Sequence, residues 1–336
     1  MKFIRFLLFP FAILYQLITG FRNFLFDKNI IKSHQFELPV ICVGNLNVGG
    51  TGKTPQIEYL IRLLSDKYKV ATLSRGYKRL SKGFVLANKN ETAQTLGDEP
   101  YQFFSKFKNI QVAVDADRKN GIQNLLNSDN KPEIILLDDA YQHRKVKAGF
   151  YVLLTSFNDL YVNDYLLPTG NLRESRSAAD RANVIIVTKC PKNLSENEQL
   201  LIRKKLNIKP NQNLFFSLID YDEFVFSENK KINLETINSQ EKLIIAGIAN
   251  PKPFFEYLKR NNDATILFAD HHDFSENDIQ NIKNQAQNKL IITTEKDFVR
   301  LKIHSLDNLY YLPIKSSFIK NENLFDELIY NYINLK

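Results

Sequence analysis

From residue 37 onward, short apolar runs alternate along the chain with longer amphipathic stretches. This alternation is typical of an α/β layer fold with a largely parallel sheet, because each buried strand is followed by a helix that covers the sheet. We therefore expect helices between the apolar runs. The runs predict strands at residues 40–43, 70–74, 134–137, 151–154 and 184–188.

The clearest predicted helix follows a glycine-rich stretch and begins near Pro55. Proline suits the first turn of a helix, where its missing N–H costs nothing. Ile57, Ile61 and Leu64 then recur at the spacing of one helical face. We expect this helix to pack on the sheet with its amino end facing the glycine-rich loop.

The chain has 336 residues, which makes two compact units the prior expectation. The composition turns polar at residues 207–213, and residues 214–226 then resemble an extended segment that leads into a second unit. We place the boundary near residue 218. The second unit has strand–helix pairs at 243–246 with 253–259 and at 290–293 with 296–301.

The amino terminus is strongly apolar: residues 3–19 read FIRFLLFPFAILYQLIT, and Lys28 and Lys32 follow. A spanning helix needs about 20 apolar residues, so the run is borderline, and Pro10 weakens it. No cleavage site of a signal peptide follows. The pattern favours a membrane anchor, spanning or lying in the interface, with its basic flank on the cytoplasmic side. A buried first helix is the alternative.

These patterns predict three parts. They are an amino-terminal membrane-associated helix at residues 1–28, a main α/β domain at residues 29–217, and a smaller α/β domain with linker strands at residues 218–336.

The formal net charge of +8 favours an anionic partner: nucleic acid, acidic lipid or a phosphorylated substrate. Basic tracts interleaved with aromatic residues, which single-stranded nucleic-acid binders use, do not occur, so we expect no nucleic-acid partner. Cys42 and Cys190 lie far apart without further ligands at metal-binding spacing, which fits a reducing compartment.

Residues 40–54, VICVGNLNVGGTGKT, form a strand, a glycine-rich turn and a helix start in that order. Backbone N–H groups of such a turn point at phosphate oxygens, as in P-loop NTPases. Lys53 would reach the outer phosphates, and the Thr54 hydroxyl would coordinate Mg²⁺. Asn47 replaces the usual first glycine, and we expect it to tolerate a left-handed conformation. The predicted phosphate-binding residues are Asn47, Val48, Gly49, Gly50, Thr51, Gly52, Lys53 and Thr54.

Residues 133–139, EIILLDD, are an apolar run that ends in two acids. Carboxylates at the carboxyl end of a buried strand lie where a metal-bound triphosphate sits in such sheets. Asp138 is the first choice for the metal and Asp139 the second.

Phosphoryl transfer to an alcohol also needs a base and cations that neutralise charge. Asp98 and Glu99 lie in a turn-like segment and are candidates, although exposed acids in turns are common. Arg75 and Arg173 are loop arginines that could contact phosphate. In the second unit, His271 and His272 lie between two aspartates, which favours an orienting or proton-handling role over a metal site.

Several segments together resemble one family, the tetraacyldisaccharide 4′-kinases that phosphorylate the lipid A precursor. The resemblance covers nearly the whole chain. It rests on VGNLNVGGTGKTP at 43–55, LSRGY at 73–77, GDEP at 97–100, LLDDAYQHR at 136–144, LLPTGNLRE at 166–174, VTKCP at 187–191 and ADHHDF at 269–274.

The resemblance implies ATP and Mg²⁺ as reactants and an acylated glucosamine disaccharide 1-phosphate as acceptor of the γ-phosphoryl group at its 4′-hydroxyl. It also implies an enzyme anchored by its amino-terminal helix to the anionic cytoplasmic face of the bacterial inner membrane, with no obligate protein partner. The two α/β domains would be joined through a two-stranded linker.

The resemblance also assigns roles to residues. Asp98 would be the base, coupled to His271, with His272 as the neighbouring alternative. The resemblance also implies metal binding for Thr54, Asp138, Asp139 and Glu99. Beside these roles, we expect catalysis by Lys53 and Arg173 and substrate binding by Arg75, His143 and Arg144.

Two other functions fit the glycine-rich loop. The first is an assembly or metal-insertion ATPase at the membrane, although such proteins usually carry cysteine or histidine clusters. The second is a membrane-tethered nucleotide-binding module without turnover.

Overall fold

The computed structural model describes residues 5–260, 262–270 and 272–336, which form two sheets flanked by helices. The strands are β1 (Val40–Asn45), β2 (Val70–Ser74), β3 (Val85–Leu86), β4 (Gln111–Val114), β5 (Ile134–Asp138), β6 (Phe150–Ser156), β7 (Val184–Thr188), β8 (Asn213–Tyr221), β9 (Phe224–Phe226), β10 (Lys231–Asn233), β11 (Lys242–Ala246), β12 (Ala264–Leu267), β13 (Leu290–Thr294), β14 (Leu309–Leu312) and β15 (Ile314–Phe318).

The helices surround both sheets. They are α1 (Phe9–Asp27), α2 (Lys53–Leu64), α3 (Ala93–Leu96), α4 (Asp98–Lys106), α5 (Arg118–Leu126), α6 (Glu196–Leu206), α7 (Leu234–Asn238), α8 (Lys252–Leu258), α9 (Glu276–Ala286), α10 (Glu295–Leu301) and α11 (Glu322–Asn334).

The larger sheet has the order β15-β8-β7-β6-β1-β5-β2-β4-β3 and is parallel from β8 to β4. The chain adds β2 to β5 on one side of β1 and then β6 to β8 on the other. The order therefore reverses at β1, and such a switch point opens a crevice at the carboxyl ends of the strands. The register pairs Val43 of β1 with Asp138, the last residue of β5, so Gly44 and Asn45 of β1 extend beyond the end of β5.

The core of the larger unit confirms the predicted strands and the predicted helix. All residues of β1, β2, β5 and β7 are buried, as expected for a parallel sheet covered on both faces. Helix α2 covers one face with Ile57, Ile61 and Leu64, which are completely buried. The α/β prediction is therefore confirmed.

The smaller sheet has the order β10-β9-β14-β13-β11-β12. Strands β11 to β14 are parallel, and β9 and β10 add antiparallel strands at one edge. Neighbouring residues of β11 point to opposite faces: Ile244 packs with Phe254 of α8, and Ile245 packs with Ile282 of α9. The strand–helix pairs predicted for the second unit are thus present.

Strands β8 and β15 form an antiparallel pair that connects the two units. The predicted boundary near residue 218 stays a prediction, but the chain returns to the larger sheet after the second unit. Phe325 and Ile329 of α11 are completely buried there, beside Phe215 and Phe318. The smaller domain predicted at residues 218–336 includes residues 314–334, because the spacing of their apolar residues does not indicate which sheet they cover.

Helix α1 exposes most of its apolar residues, and only Ala12 and Phe26 are buried. This differs from the alternative of a buried first helix. Across the described residues, no helix has the length and apolar character needed to cross a membrane. Residues 1–4 of the predicted first segment lie outside the described residues. The exposed apolar side chains of α1 are Phe9, Phe11, Ile13, Leu14, Leu17, Ile18, Phe21 and Phe24.

Candidate functional site

The glycine-rich loop lies between β1 and α2, at the switch point of the larger sheet. Gly49 (φ 125°) and Gly52 (φ 84°) adopt positive φ angles, which L-residues with side chains rarely adopt. Gly52 caps α2, so the amino end of this helix, with its partial positive charge, begins in the loop. Val48 is exposed and Thr51 is buried, whereas Gly50 and Thr54 complete the loop and the first turn.

Asn47 does not use the left-handed conformation that asparagine tolerates: it is not among the positive-φ residues of the described chain. Instead the Asn47 side chain stabilises the loop, because its Nδ2 atom donates to Asp164 Oδ2 at 2.9 Å. Two backbone bonds support the same contact, Val48 N to Asn171 O and Arg173 N to Leu46 O, both at 2.7 Å. These bonds place Arg173 beside the glycine-rich loop.

Lys53 and Arg173 both contact Asp139, which follows β5. The Lys53 Nζ atom lies 3.7 Å from Asp139 Oδ1 and donates to Asn45 Oδ1 at 3.2 Å. Arg173 donates to both carboxylate oxygens of Asp139, at 2.8 and 3.2 Å, and also to the Asn45 side-chain oxygen. Two cations therefore share the Asp139 carboxylate, which by itself cancels only one of their two charges.

The two neighbouring acids have opposite pKa shifts. Burial alone would raise the pKa of Asp139, but Lys53 and Arg173 outweigh it and hold the pKa below its usual value. Burial raises the pKa of Asp138 to about 6, and the negative charge of Asp139 adds to this effect. The Ser74 hydroxyl donates to Asp138 Oδ2 at 3.2 Å. The pair thus combines a firmly ionised carboxylate with one that is costly to ionise without a further cation.

Asp138 is suited to hold a metal ion. Its Oδ1 atom is buried and has no hydrogen-bond partner among the described residues. A buried carboxylate oxygen without a donor is unfavourable, and a hard divalent cation would satisfy it. The described part of the chain contains no cluster of three or more acidic, histidine or cysteine side chains that could hold a metal. A cation at Asp138 would therefore take its other ligands from hydroxyls, water or bound phosphate.

Arg118, the first residue of α5, also belongs to the site, although sequence reasoning missed it. Its side chain is only 3% exposed, and its guanidinium donates to the backbone oxygens of Asp115 and Ala116 at 3.3 and 3.2 Å. Burial lowers the pKa of Arg118, while the charges of Asp138 and Asp139 oppose this shift. The surrounding residues DADRK are typical of an ordinary helix start, so the sequence does not indicate that Arg118 lies beside the two acids.

Asp98 and Glu99 begin α4 and face cations of the second unit. Asp98 accepts a hydrogen bond from Arg300, and Glu99 Oε1 accepts one from Lys296 Nζ at 3.0 Å. Both cations lie on α10. Sequence reasoning missed Lys296 and Arg300, because nothing in their spacing indicates a partner about 200 residues away in the chain.

His271 lies outside the described residues, so its predicted role stays a prediction. His272 is placed within the second unit. Its Nε2 atom lies 3.0 Å from Asp278 Oδ2, and its ring stacks on Phe268 with a centroid distance of 4.7 Å. His272 therefore braces the amino end of α9.

The three predicted substrate-binding residues have different surroundings. Arg75 is exposed just after β2. His143 is partly buried, and its Nε2 atom lies 3.9 Å from Asp117. Arg144 fastens α1: it donates to Asn23 O at 2.9 Å and to Asp27 Oδ1 at 2.6 Å.

A glycine-rich loop between a buried parallel strand and a helix, with a lysine and paired acids at the adjoining strand end, defines a P-loop protein. Residues 4–334 match the family model described as Tetraacyldisaccharide-1-P 4'-kinase. The chain belongs to this family and is a kinase.

The chain is similar to named relatives over nearly its whole length. It is 64% identical to the tetraacyldisaccharide 4'-kinase of Flavobacterium johnsoniae, over 99% of this chain and 98% of the relative. It is 63% identical to that of Flavobacterium psychrophilum, again over 99% and 98% of the two chains. A crystal structure of LpxK from Aquifex aeolicus, described as an "apo" form in complex with ATP, has a TM-score of 0.81 and 29% identity, covering 98% of this chain and 99% of that chain.

Burial and the charge of Arg118 lower the pKa of His143 from 6.5 to about 4. We therefore expect the His143 ring to be neutral in the folded protein down to about pH 4. Between pH 6.5 and 4 the unfolded chain binds a proton that the folded chain does not bind, so this histidine reduces stability as the pH falls through that window. The measurement is an NMR titration of the imidazole signals, with His143→Gln to assign the signal. A midpoint near 6.5 for His143 would contradict the expected burial.

Proposed function

We propose that this kinase transfers the γ-phosphoryl group of ATP to the 4′-hydroxyl of a tetraacyldisaccharide 1-phosphate, with Mg²⁺, at the cytoplasmic face of the bacterial inner membrane. The observation that carries the proposal is the contact of Lys53 and Arg173 with Asp139, beside a buried Asp138 oxygen that has no donor in the described structure. Family membership and the net charge of +8 support the same anionic reactants.

In this proposal the loop of residues 47–54 binds the triphosphate. Its N–H groups and the amino end of α2 supply partial positive charge, and Lys53 reaches the outer phosphates. Lys53 then exchanges its contact with Asp139 for a phosphate oxygen. Arg173 remains beside the transferring group and neutralises charge that develops on it.

Thr54 and Asp138 would hold Mg²⁺, with Asp139 and Glu99 as further contributors. When bound, the ion would offset negative charge on the triphosphate. The proposal is supported by the oxygen-only character of this donor set, which suits a hard cation, and by the small number of protein ligands, because Mg²⁺ commonly keeps several waters.

Asp98 would act as the base that accepts the proton of the 4′-hydroxyl. The O–H bond breaks as the new O–P bond forms, and ADP leaves. Arg300 pairs with Asp98 in this structure, so an acceptor hydroxyl would have to compete for the same carboxylate. His271 would position Asp98 from the second unit, since both belong to motifs of the family that the chain resembles.

Helix α1 would lie in the membrane interface. Its exposed apolar side chains give it a face that the protein itself does not cover, and such helices bury that face at the boundary of head groups and acyl chains. An acylated acceptor is embedded in the same surface. The helix would thus keep the active site close to its substrate.

The direct test is incubation of the purified protein with Mg²⁺, γ-labelled ATP and an acylated glucosamine disaccharide 1-phosphate. We expect label in the lipid, at the 4′-position, and only when the acceptor is present. Label found only as free phosphate would contradict the proposal and favour an assembly or metal-insertion ATPase.

Asp98→Ala is expected to lower kcat by about 10²-fold or more, because general-base catalysis contributes at least that much. Its affinity for ATP should stay close to that of the wild type. Asp129→Ala, which removes an exposed loop acid, is the control and should leave kcat unchanged. Unchanged kcat in Asp98→Ala would exclude the proposed base and fit a nucleotide-binding module instead.

The double substitution Leu17→Glu with Phe21→Glu places two charges on the exposed face of α1, where each residue is 64% exposed. We expect binding to anionic lipid vesicles, measured by cosedimentation, to fall by about 10-fold or more. Leu200→Glu with Leu201→Glu makes the same change at exposed positions of α6 and should have little effect. Equal losses in both variants would show that charge alone, and not α1, controls binding.

A further inference from the structure

The segment VTKCP at residues 187–191 has no role in the site described above, yet it lies against the glycine-rich loop. Thr188, the last residue of β7, donates from Oγ1 to the Thr51 backbone oxygen at 2.8 Å. Lys189 donates from Nζ to the Gly50 backbone oxygen at 2.5 Å. Two consecutive residues at the end of β7 therefore hold two consecutive carbonyl groups of the loop.

We propose that Thr188 and Lys189 are positioning residues that orient the peptide planes of the phosphate-binding loop and thereby increase its affinity for the phosphates of ATP. The inference rests on the proposed function, since it assumes that the loop binds ATP. It extends that function to a strand separated from the loop by about 137 residues of sequence.

The geometry of the peptide bond explains how a carbonyl contact acts on the opposite side of the loop. In a trans peptide, the C=O group and the next N–H group point in opposite directions. When Thr188 holds the Thr51 carbonyl, the Gly52 N–H is turned away from β7. Gly52 caps α2, and the first N–H groups of a helix have no acceptor within the helix, so they are available to an anion.

The Thr188 side chain is well placed for this role. It is only 2% exposed, so the hydrogen bond is protected from water. A second acceptor, the Thr155 backbone oxygen, lies at 3.3 Å, but the hydroxyl has one hydrogen and the Thr51 oxygen is closer. A Cβ atom on Gly52 would lie 3.7 Å from the Thr188 Cβ, so the strand end and the loop are in van der Waals contact.

Lys189 has an uncommon backbone conformation. Its φ angle of 57° lies in the left-handed region, which costs energy for a residue with a side chain. This conformation ends β7 in a turn and directs the side chain to the loop. Burial, together with the nearby charge of Lys296, lowers the pKa of Lys189. The Gly50 carbonyl thus receives a hydrogen bond from a charged ammonium group at the protein surface.

A pair of substitutions at position 188 separates hydrogen bonding from packing. Thr188→Val keeps the volume and branching but removes the hydroxyl, whereas Thr188→Ser keeps the hydroxyl and removes a methyl group. We expect Thr188→Val to weaken the affinity for Mg²⁺-ATP by about 3- to 10-fold, as for the loss of one hydrogen bond. Thr188→Ser should stay within about twofold of the wild type.

Lys189 is less buried than Thr188 and provides an independent test. Its variants test the positioning role even if a variant at position 188 does not fold. Lys189→Met should weaken ATP binding by about 10-fold, because it removes a charged donor, and Lys189→Arg should restore most of the affinity. Lys192→Met removes an exposed lysine three residues further on and should bind ATP like the wild type.

The measurement is isothermal titration calorimetry of each full-length variant with ATP and Mg²⁺, together with its melting temperature and the KM for the acceptor. We expect the ATP affinity to change while the acceptor KM does not. Wild-type affinity in both Thr188→Val and Lys189→Met would overturn the inference, and so would an equal loss in Thr188→Ser and Thr188→Val. Failure of the wild type to bind ATP would instead contradict the proposed function.

Discussion

The concentration of opposite charges at one edge of the larger sheet is the constraint on which the rest of the site depends. Asp138 ends a completely buried strand, and the partly exposed Asp139 follows it directly, so the two adjacent carboxylates repel each other. Lys53 and Arg173 offset that repulsion from one side. In the proposed function, the Asp138 oxygen that lacks a donor among the described residues would bind a divalent cation. The fold supplies this arrangement through the parallel pairing of β1 and β5, which places Asp138 opposite Val43, near the end of β1.

Three sets of contacts stabilise this charged edge of the sheet: those of α1, of α10 and of Lys106. The Tyr15 hydroxyl of α1 donates to the Arg173 carbonyl at 3.0 Å, so the helix proposed to lie on the membrane also stabilises the position of Arg173. From the second unit, α10 contacts the two acids that begin α4. Lys106 adds a buried link, because its ammonium group lies 2.6 Å from Glu58 of α2 and 2.7 Å from Glu295 of α10. Hydrogen bonds and ion pairs therefore link the segment of Arg173, the acids of α4 and the second unit to one another.

Periodicity predicted most of the architecture because strands and helices obey local rules. The buried strands and the face of α2 follow from spacings of two to seven residues. The return of β15 and α11 to the larger sheet could not be predicted, since their apolar pattern would fit either sheet. The same limit applies to the site. The glycine-rich loop and the paired acids are contiguous motifs. In contrast, Arg118 also donates to the Asp139 backbone oxygen, 21 residues away, and the partners of Thr188 and Arg300 are more distant still.

The most direct test of this account is a crystal structure of the protein with Mg²⁺ and a non-hydrolysable ATP analogue. We expect Lys53 to contact the outer phosphates and the Asp138 carboxylate to lie in the coordination shell of the metal, directly or through one water. A triphosphate bound away from the loop of residues 47–54, or a metal ion remote from Asp138, would contradict it.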